Sequence, residues 1–197
     1  SGEPLDNYDA TLAFIRQISA AWGLNIGLRH ITVSTCGLVP QIRALAAERL
    51  PLTLAVSLHA PNDVLRDKLV PVNKKYPIAQ LIASCRDYAR ETGRRVTFEY
   101  ALIRGVNDHN EHALELGRLL SGMLAHVNLI PANPVTERGI TPPSRERVKN
   151  FKQLVEKHSV ATTVRRELGA EINAACGQLR RRVYPGGAVV APGRAPT

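Results

Sequence analysis

LTLAVSLHAPNDVLRDKLVPVNKKYPIAQLIASCRDYARETGRRVTFEYALI, residues 52–103, decides the fold. It opens on a short apolar run, LTLAVSL (52–58), and closes on a β-rich one, RVTFEYALI (95–103). Between them lie a short helical stretch over 62–69 and a longer one over 78–92, which Gly93 stops. Strands alternating with helices indicate an α/β fold built on a parallel sheet.

The same alternation continues on both sides. Upstream, residues 11–22 place Leu12, Ile15, Ile18 and Trp22 at helical spacing, and HITVST (30–35) reads as a strand that Cys36-Gly37 breaks. Residues 38–49 are helical, with Pro40 tolerated in the first turn. Downstream come a turn at Gly105-Val106-Asn107-Asp108, a helix over 110–120, a strand HVNLIP (126–131) and a proline-rich loop over 132–144. A helix over 144–157 turns Val148, Phe151, Leu154 and Val155 inward, and VATTVRR (160–166) is a last strand. The strands read as apolar on both faces, as strands covered by helices should be. No strand precedes the first helix, although the pattern calls for one. The expectation is therefore a truncated fold, in which 1–183 are one unit and the Gly/Pro-rich 184–197 a disordered tail.

The 197 residues are 44% hydrophobic and 22% charged, ordinary globular values. No apolar run approaches the roughly 20 residues needed to cross a bilayer, so no membrane association is expected. A net charge of +9 favours polyanionic partners, nucleic acid first, or else marks a solvated basic surface. Three widely spaced cysteines, Cys36, Cys85 and Cys176, argue against a disulfide framework and for a reducing cytoplasm. None stands in a CxxC or CxxxCxxC spacing, so the chain offers no metal or cluster site of its own.

In parallel α/β folds, ligands bind where strands end. The exits are Ser34-Thr35-Cys36-Gly37, Ser57-Leu58-His59-Ala60-Pro61 and Asn128-Leu129-Ile130-Pro131-Ala132-Asn133, with Gly2-Glu3-Pro4 in the equivalent place before the first helix. Glu3, Ser34, Ser57, His59 and Asn133 would form a polar ring suited to a small molecule bearing an amine, a carboxylate and a ribose. Taken alone, each reads first as a turn former or helix cap, and His59 as a satisfied histidine. Cys176, near Arg165, Arg166 and Arg180 to Arg182, is either a thiol drawn toward thiolate by positive charge or an inert buried one.

Gly2-Glu3-Pro4-Leu5-Asp6-Asn7-Tyr8, Ser34-Thr35, Ser57-Leu58-His59-Ala60-Pro61-Asn62, Leu69-Val70-Pro71-Val72-Asn73-Lys74-Lys75-Tyr76-Pro77, Gly105-Val106-Asn107-Asp108, Asn128-Leu129-Ile130-Pro131 and Ala174-Ala175-Cys176-Gly177-Gln178-Leu179 follow one another in order. In this the chain resembles the radical S-adenosylmethionine (SAM) enzymes that methylate adenine C2 in 23S rRNA and tRNA, the RlmN type. The resemblance implies a partial (β/α)6 radical-SAM barrel truncated on its N-terminal side. It implies SAM contacts from Gly2, Glu3, Ser34, Ser57, Leu58, His59 and Asn133, with Cys176 as the residue that first accepts a methyl group. It also implies a second SAM cleaved at a [4Fe-4S] cluster, a hydrogen taken from the methylated cysteine, addition of the methylene to adenine, and a flavodoxin-type electron donor.

The chain departs from that family in lacking the CxxxCxxC cluster motif, which belongs upstream of Gly2. The acidic pair before the catalytic cysteine is altered to Ala170-Glu171-Ile172-Asn173. Two alternatives stay open: methylation at adenine C8 by the sister activity, and a catalytically inactive RNA-binding remnant.

Overall fold

A computed structural model describes residues 2–134 and 140–165. Among these residues five strands, β1 (Thr32–Thr35), β2 (Thr53–Ser57), β3 (Val96–Leu102), β4 (Ala125–Pro131) and β5 (Ala161–Val164), pair in sequential order, every neighbour parallel. The helices are α1 (Tyr8–Ser19), α2 (Val39–Ala47), α3 (Asp63–Leu69), α4 (Ile78–Thr92), α5 (Asn110–Leu120) and α6 (Arg145–Glu156). This is the expected α/β architecture, ordered as a segment of a (β/α) barrel.

Sequential parallel order has a geometric consequence. Parallel crossovers are almost always right-handed, so each successive helix lands on the same face of the sheet. That face holds the core. Val33 on β1, Leu54 and Val56 on β2, Phe98 and Tyr100 on β3, and Val127 on β4 are all buried. Against them, α4 buries Ile78, Leu81, Ile82, Cys85, Tyr88 and Ala89, the spacing of one helical stripe. The helix ends at Gly93, whose φ of 63° is the left-handed cap that favours glycine. Tyr88 donates a hydrogen bond from its hydroxyl to the Leu52 carbonyl (3.0 Å), fixing α4 at the start of β2.

The opposite face corrects the sequence reading. The strands are not apolar on both faces: β3 and β4 alternate buried and half-buried residues along their length. The register aligns Ser57, Glu99, Asn128 and Thr163 across four strands on the face that the described helices leave free (the helix-free face). Asn128 donates to Glu99 Oε2 (2.9 Å), and Thr163 Oγ1 donates to Asn128 Oδ1 (3.2 Å).

Trp22 is a second correction. The sequence pattern puts it on the inward stripe of the first helix, but α1 ends at Ser19, Ala20 turns extended, and Trp22 is 78% exposed. In α6, Val148, Phe151 and Val155 are buried and Leu154 packs partly, as the spacing requires.

Candidate functional site

The polar residues that the sequence places at the strand exits gather around a backbone scaffold. Glu3 caps the short 3-10 turn Pro4–Asn7, its Oε1 accepting from the Leu5 N–H (3.1 Å). Its Oε2 accepts from the Cys36 N–H (2.6 Å), so the segment before α1 is tied to the exit of β1. A carboxylate oxygen has two acceptor positions, so Glu3 keeps capacity for a ligand amine. Gly2 lies exposed just ahead of it, with open space where a Cβ would sit.

Ser34 and Ser57 project from the helix-free face. Ser34 pairs with Ala55, two residues before Ser57, and side chains two apart along a strand share a face. Leu58 differs from its neighbours. Its side chain is fully buried, its N–H donates to the Glu99 carbonyl (3.0 Å), and its own carbonyl accepts from Arg66.

His59 adopts a left-handed backbone (φ 57°), uncommon for a non-glycine residue, and this turns the chain sharply after β2. Its Nδ1 accepts from the Ala101 N–H (3.0 Å), which leaves the ring proton on Nε2 as a donor. Burial, with the positive charge of Arg66 adding to it, lowers its pKa to about 4, so the ring is neutral at physiological pH. Asn107 anchors this turn. Its Nδ2 donates to the carbonyls of His59 (2.9 Å) and Ala101 (2.6 Å), and its Oδ1 accepts from the Ile103 N–H (2.7 Å). The turn Gly105-Val106-Asn107-Asp108 thus has a physical role: it holds the exits of β2 and β3 together. Asn133 follows β4, half-buried.

Cys36 stands at the exit of β1 but is not a poised nucleophile. Burial first, and then the Glu3 carboxylate, push its thiol up to about 11. Cys85 is sealed in α4, its thiol pushed up to about 12 by burial. Burial also raises the pKa of Glu99. Cys176, Arg166 and Arg180 to Arg182 lie outside the described residues. Of that basic group only Arg165 is described, its N–H extending the β4–β5 pairing onto the Leu129 carbonyl (2.8 Å).

Sequence reasoning missed Arg66, Glu99 and the work of Asn107. Glu99 had a signal, since it lies two residues from Thr97 and Ala101 and so faces away from the apolar Phe98 and Tyr100. Arg66 had none, because a basic residue on a short helix reads as solvated.

Comparison with known proteins adds to this geometry. The family described as the radical SAM superfamily matches residues 1–117. A protein of Pelotomaculum thermopropionicum named "Probable dual-specificity RNA methyltransferase RlmN" is 71% identical over 184 residues, covering 93% of this chain and 50% of that protein. One of the same name from Desulforudis audaxviator is 62% identical, covering 92% of this chain and 57% of its own length. The chain thus spans about half the length of the curated relatives it matches. The crystal structure of a radical SAM methyltransferase from Sphaerobacter thermophilus superposes with a TM-score of 0.85 at 55% identity, over 90% of this chain and 52% of that one. A domain of pyruvate-formate lyase-activating enzyme from Bacteroides vulgatus shares the fold alone, at 16% identity and a TM-score of 0.63, over 84% of this chain and 96% of that one.

Proposed function

We propose that this chain, which belongs to the radical SAM superfamily, supplies the SAM-binding strand exits and the methyl-carrying cysteine of an RNA methyltransferase acting on C2 of adenine in 23S rRNA and tRNA. The observation that carries the reading is the placement of Glu3, Ser34, Ser57 and His59 at consecutive strand exits, with Ser34 and Ser57 on the face of the sheet that the described helices leave free. The relatives' name, an RNA methyltransferase, and their high identity to this chain support an RNA substrate.

The residues fit SAM. Glu3 offers a carboxylate to the amino group, Ser34 and Ser57 offer hydroxyls, and neutral His59 offers an Nε2–H donor, with Asn133 completing the ring from the exit of β4. Bound there, SAM supplies a methyl group and, in this superfamily, the oxidising power for radical chemistry. That chemistry suits the target, because adenine C2 has no nucleophilic electron pair with which to displace a methyl group. The part proposed for Cys176 is to attack the sulfonium methyl as thiolate, forming its C–S bond as the methyl–sulfonium bond breaks, with the thiol proton lost to solvent.

An iron–sulfur cluster does not fit the described residues. Cys85 is sealed in the core, and among the described residues no three His, Cys, Asp or Glu side chains are grouped to hold a metal ion. Cluster ligands therefore belong outside them, as does the entry point of the proposed flavodoxin-type reductant. No helix among the described residues is long and apolar enough to cross a membrane. A cytoplasmic setting, where rRNA and tRNA are made, belongs to the same proposal.

The test is methyl incorporation into 23S rRNA and tRNA by the full-length protein, with digestion and mass spectrometry separating 2-methyladenosine from 8-methyladenosine. The expected product is 2-methyladenosine, lost on Cys176→Ala. Formation of 8-methyladenosine would replace the C2 assignment, and undiminished incorporation by Cys176→Ala would remove Cys176 from the chemistry.

A further inference from the structure

Arg66 is fully buried, the largest such side chain among the described residues, and nothing in the proposed chemistry uses it. Its guanidinium spans two strand exits. Nε donates to the Leu58 carbonyl (3.1 Å), and Nη2 donates to the carbonyls of Ser57 (3.1 Å) and Cys36 (2.7 Å). Nη1 donates to Asn73 Oδ1 (3.0 Å). Among the described residues no carboxylate is bonded to it directly. Negative charge arrives one residue removed, because Asn73 Nδ2 donates to Asp63 Oδ1 (2.9 Å) and Asp67 Oδ1 (2.7 Å).

The surroundings are shaped to this group. Gly37, at φ +111°, would place a Cβ 3.2 Å from Arg66 Nη2 and 3.2 Å from a Leu81 methyl, so the exit of β1 leaves the space the guanidinium fills. A buried cation is a poor way to gain stability, since apolar side chains of similar volume often serve as well or better. What a guanidinium does that an apolar group cannot is hold several acceptors in a plane at fixed angles. Three of its four acceptors are the carbonyls of Cys36, Ser57 and Leu58, which lie within two residues of Ser34, Ser57 and His59. Rotating any of those peptide planes would re-aim the neighbouring side chain.

We propose that Arg66 is a positioning residue for the cofactor: its fork locks the exits of β1 and β2 in one geometry, so that Ser34, Ser57 and His59 address a single ligand. The inference rests on the reading of that ligand as SAM. Its positive charge has a second effect in the same direction, since with burial it favours the neutral, Nε2–H form of His59. Lysine cannot take over, because a single ammonium cannot reach the divergent acceptors that Nε, Nη1 and Nη2 serve.

The experiment compares the full-length protein with its Arg66→Lys and Tyr88→Phe variants, measuring SAM affinity by calorimetry without RNA and stability by urea unfolding. Tyr88→Phe removes a buried hydrogen bond at the opposite end of β2 and serves as the stability control. Arg66→Lys is expected to weaken SAM binding about tenfold or more, the loss that follows when a site is held slightly out of its productive geometry. Tyr88→Phe should be destabilised and still bind as wild type. Wild-type affinity in Arg66→Lys overturns the positioning role and leaves Arg66 a fold element. Equal weakening in Tyr88→Phe overturns it too, because affinity would then follow stability alone. If Arg66→Lys does not fold, Asn73→Ser, which slackens one arm of the guanidinium and keeps its charge, decides in the same way: weaker SAM binding in a folded variant supports the role, and unchanged binding overturns it. A wild-type protein that binds no SAM would instead sink the cofactor reading, and this inference with it.

Discussion

Replacing Asn107 by alanine is expected to destabilise the protein by about 4 kcal/mol. The side chain is fully buried and makes three hydrogen bonds, two donated to the carbonyls of His59 and Ala101 and one accepted from the Ile103 N–H. Alanine leaves those backbone groups without their partner. A buried unsatisfied group costs about 1–3 kcal/mol. Taking about 1 for each carbonyl and about 2 for the N–H gives the sum, a large part of the roughly 5–15 kcal/mol that holds a domain folded. Urea unfolding followed by circular dichroism measures it, with an unchanged m-value as the sign that the folded state is otherwise intact. Asn107→Asp is the sharper control. It keeps the acceptor for Ile103 but turns a second carboxylate oxygen toward two carbonyls, so at neutral pH it should be at least as harmful as alanine. A loss under about 1 kcal/mol in Asn107→Ala, or a benign Asn107→Asp, would refute the reasoning that this amide holds the exits of β2 and β3 together.

His59 makes the fold sensitive to acid. Its folded pKa of about 4 lies below the ordinary 6.5, so the unfolded chain binds its proton first as pH falls. Stability should be full above about pH 6.5 and decline toward pH 4 by about 3 kcal/mol at most. His59→Gln should flatten that part of the profile, and an NMR titration midpoint of His59 at or above 6.5 would contradict its buried, neutral state. Cys36 and Cys85, with thiols pushed up to about 11 and about 12, should resist iodoacetamide at pH 8 until urea unfolds the protein. Rapid alkylation of native Cys36 would show that its thiol is not held protonated beside Glu3.

The elements were legible because their signals are local. Gly93 ends α4 where the sequence stops it, and the helices over 78–92 and 110–120 have the expected bounds. What went unread depends on tertiary facts. Trp22 continues the spacing of α1 beyond Ser19, and no local pattern says that the chain turns extended at Ala20. The helix-free face was misread because the strands are short and carry small residues such as Ala55 beside the larger apolar ones. A polar position within so short a strand is easily assigned to a strand end. The site was half legible. The exits and their polar residues follow from strand order, whereas the left-handed turn at His59 is imposed by Asn107 from 48 residues away. Arg66 was invisible for the same reason: only the folded chain brings the Cys36 carbonyl, 30 residues distant, onto its guanidinium.

These long-range bonds share a pattern that bears on how such a fold comes to carry a site. Strand exits are loops, and loops are where a parallel fold is least rigid. From the segment before α1 to β4, each neighbouring pair of exits is tied by a bond to main-chain atoms. Glu3 holds the Cys36 N–H, Arg66 links the carbonyls of Cys36 and Ser57, Asn107 links those of His59 and Ala101, and the Ala132 N–H donates to the Leu102 carbonyl. The ties run in order from the segment before α1 to the exit of β4. Stability comes from the apolar face under the helices, so the helix-free face can hold Ser34, Ser57, Glu99 and Asn128 without cost to the core. The division explains why the buried polar residues that matter most here, Arg66 and Asn107, touch backbone rather than ligand. They hold the main chain from which the site residues project, and a ligand ordered by several exits at once needs those exits fixed before it arrives.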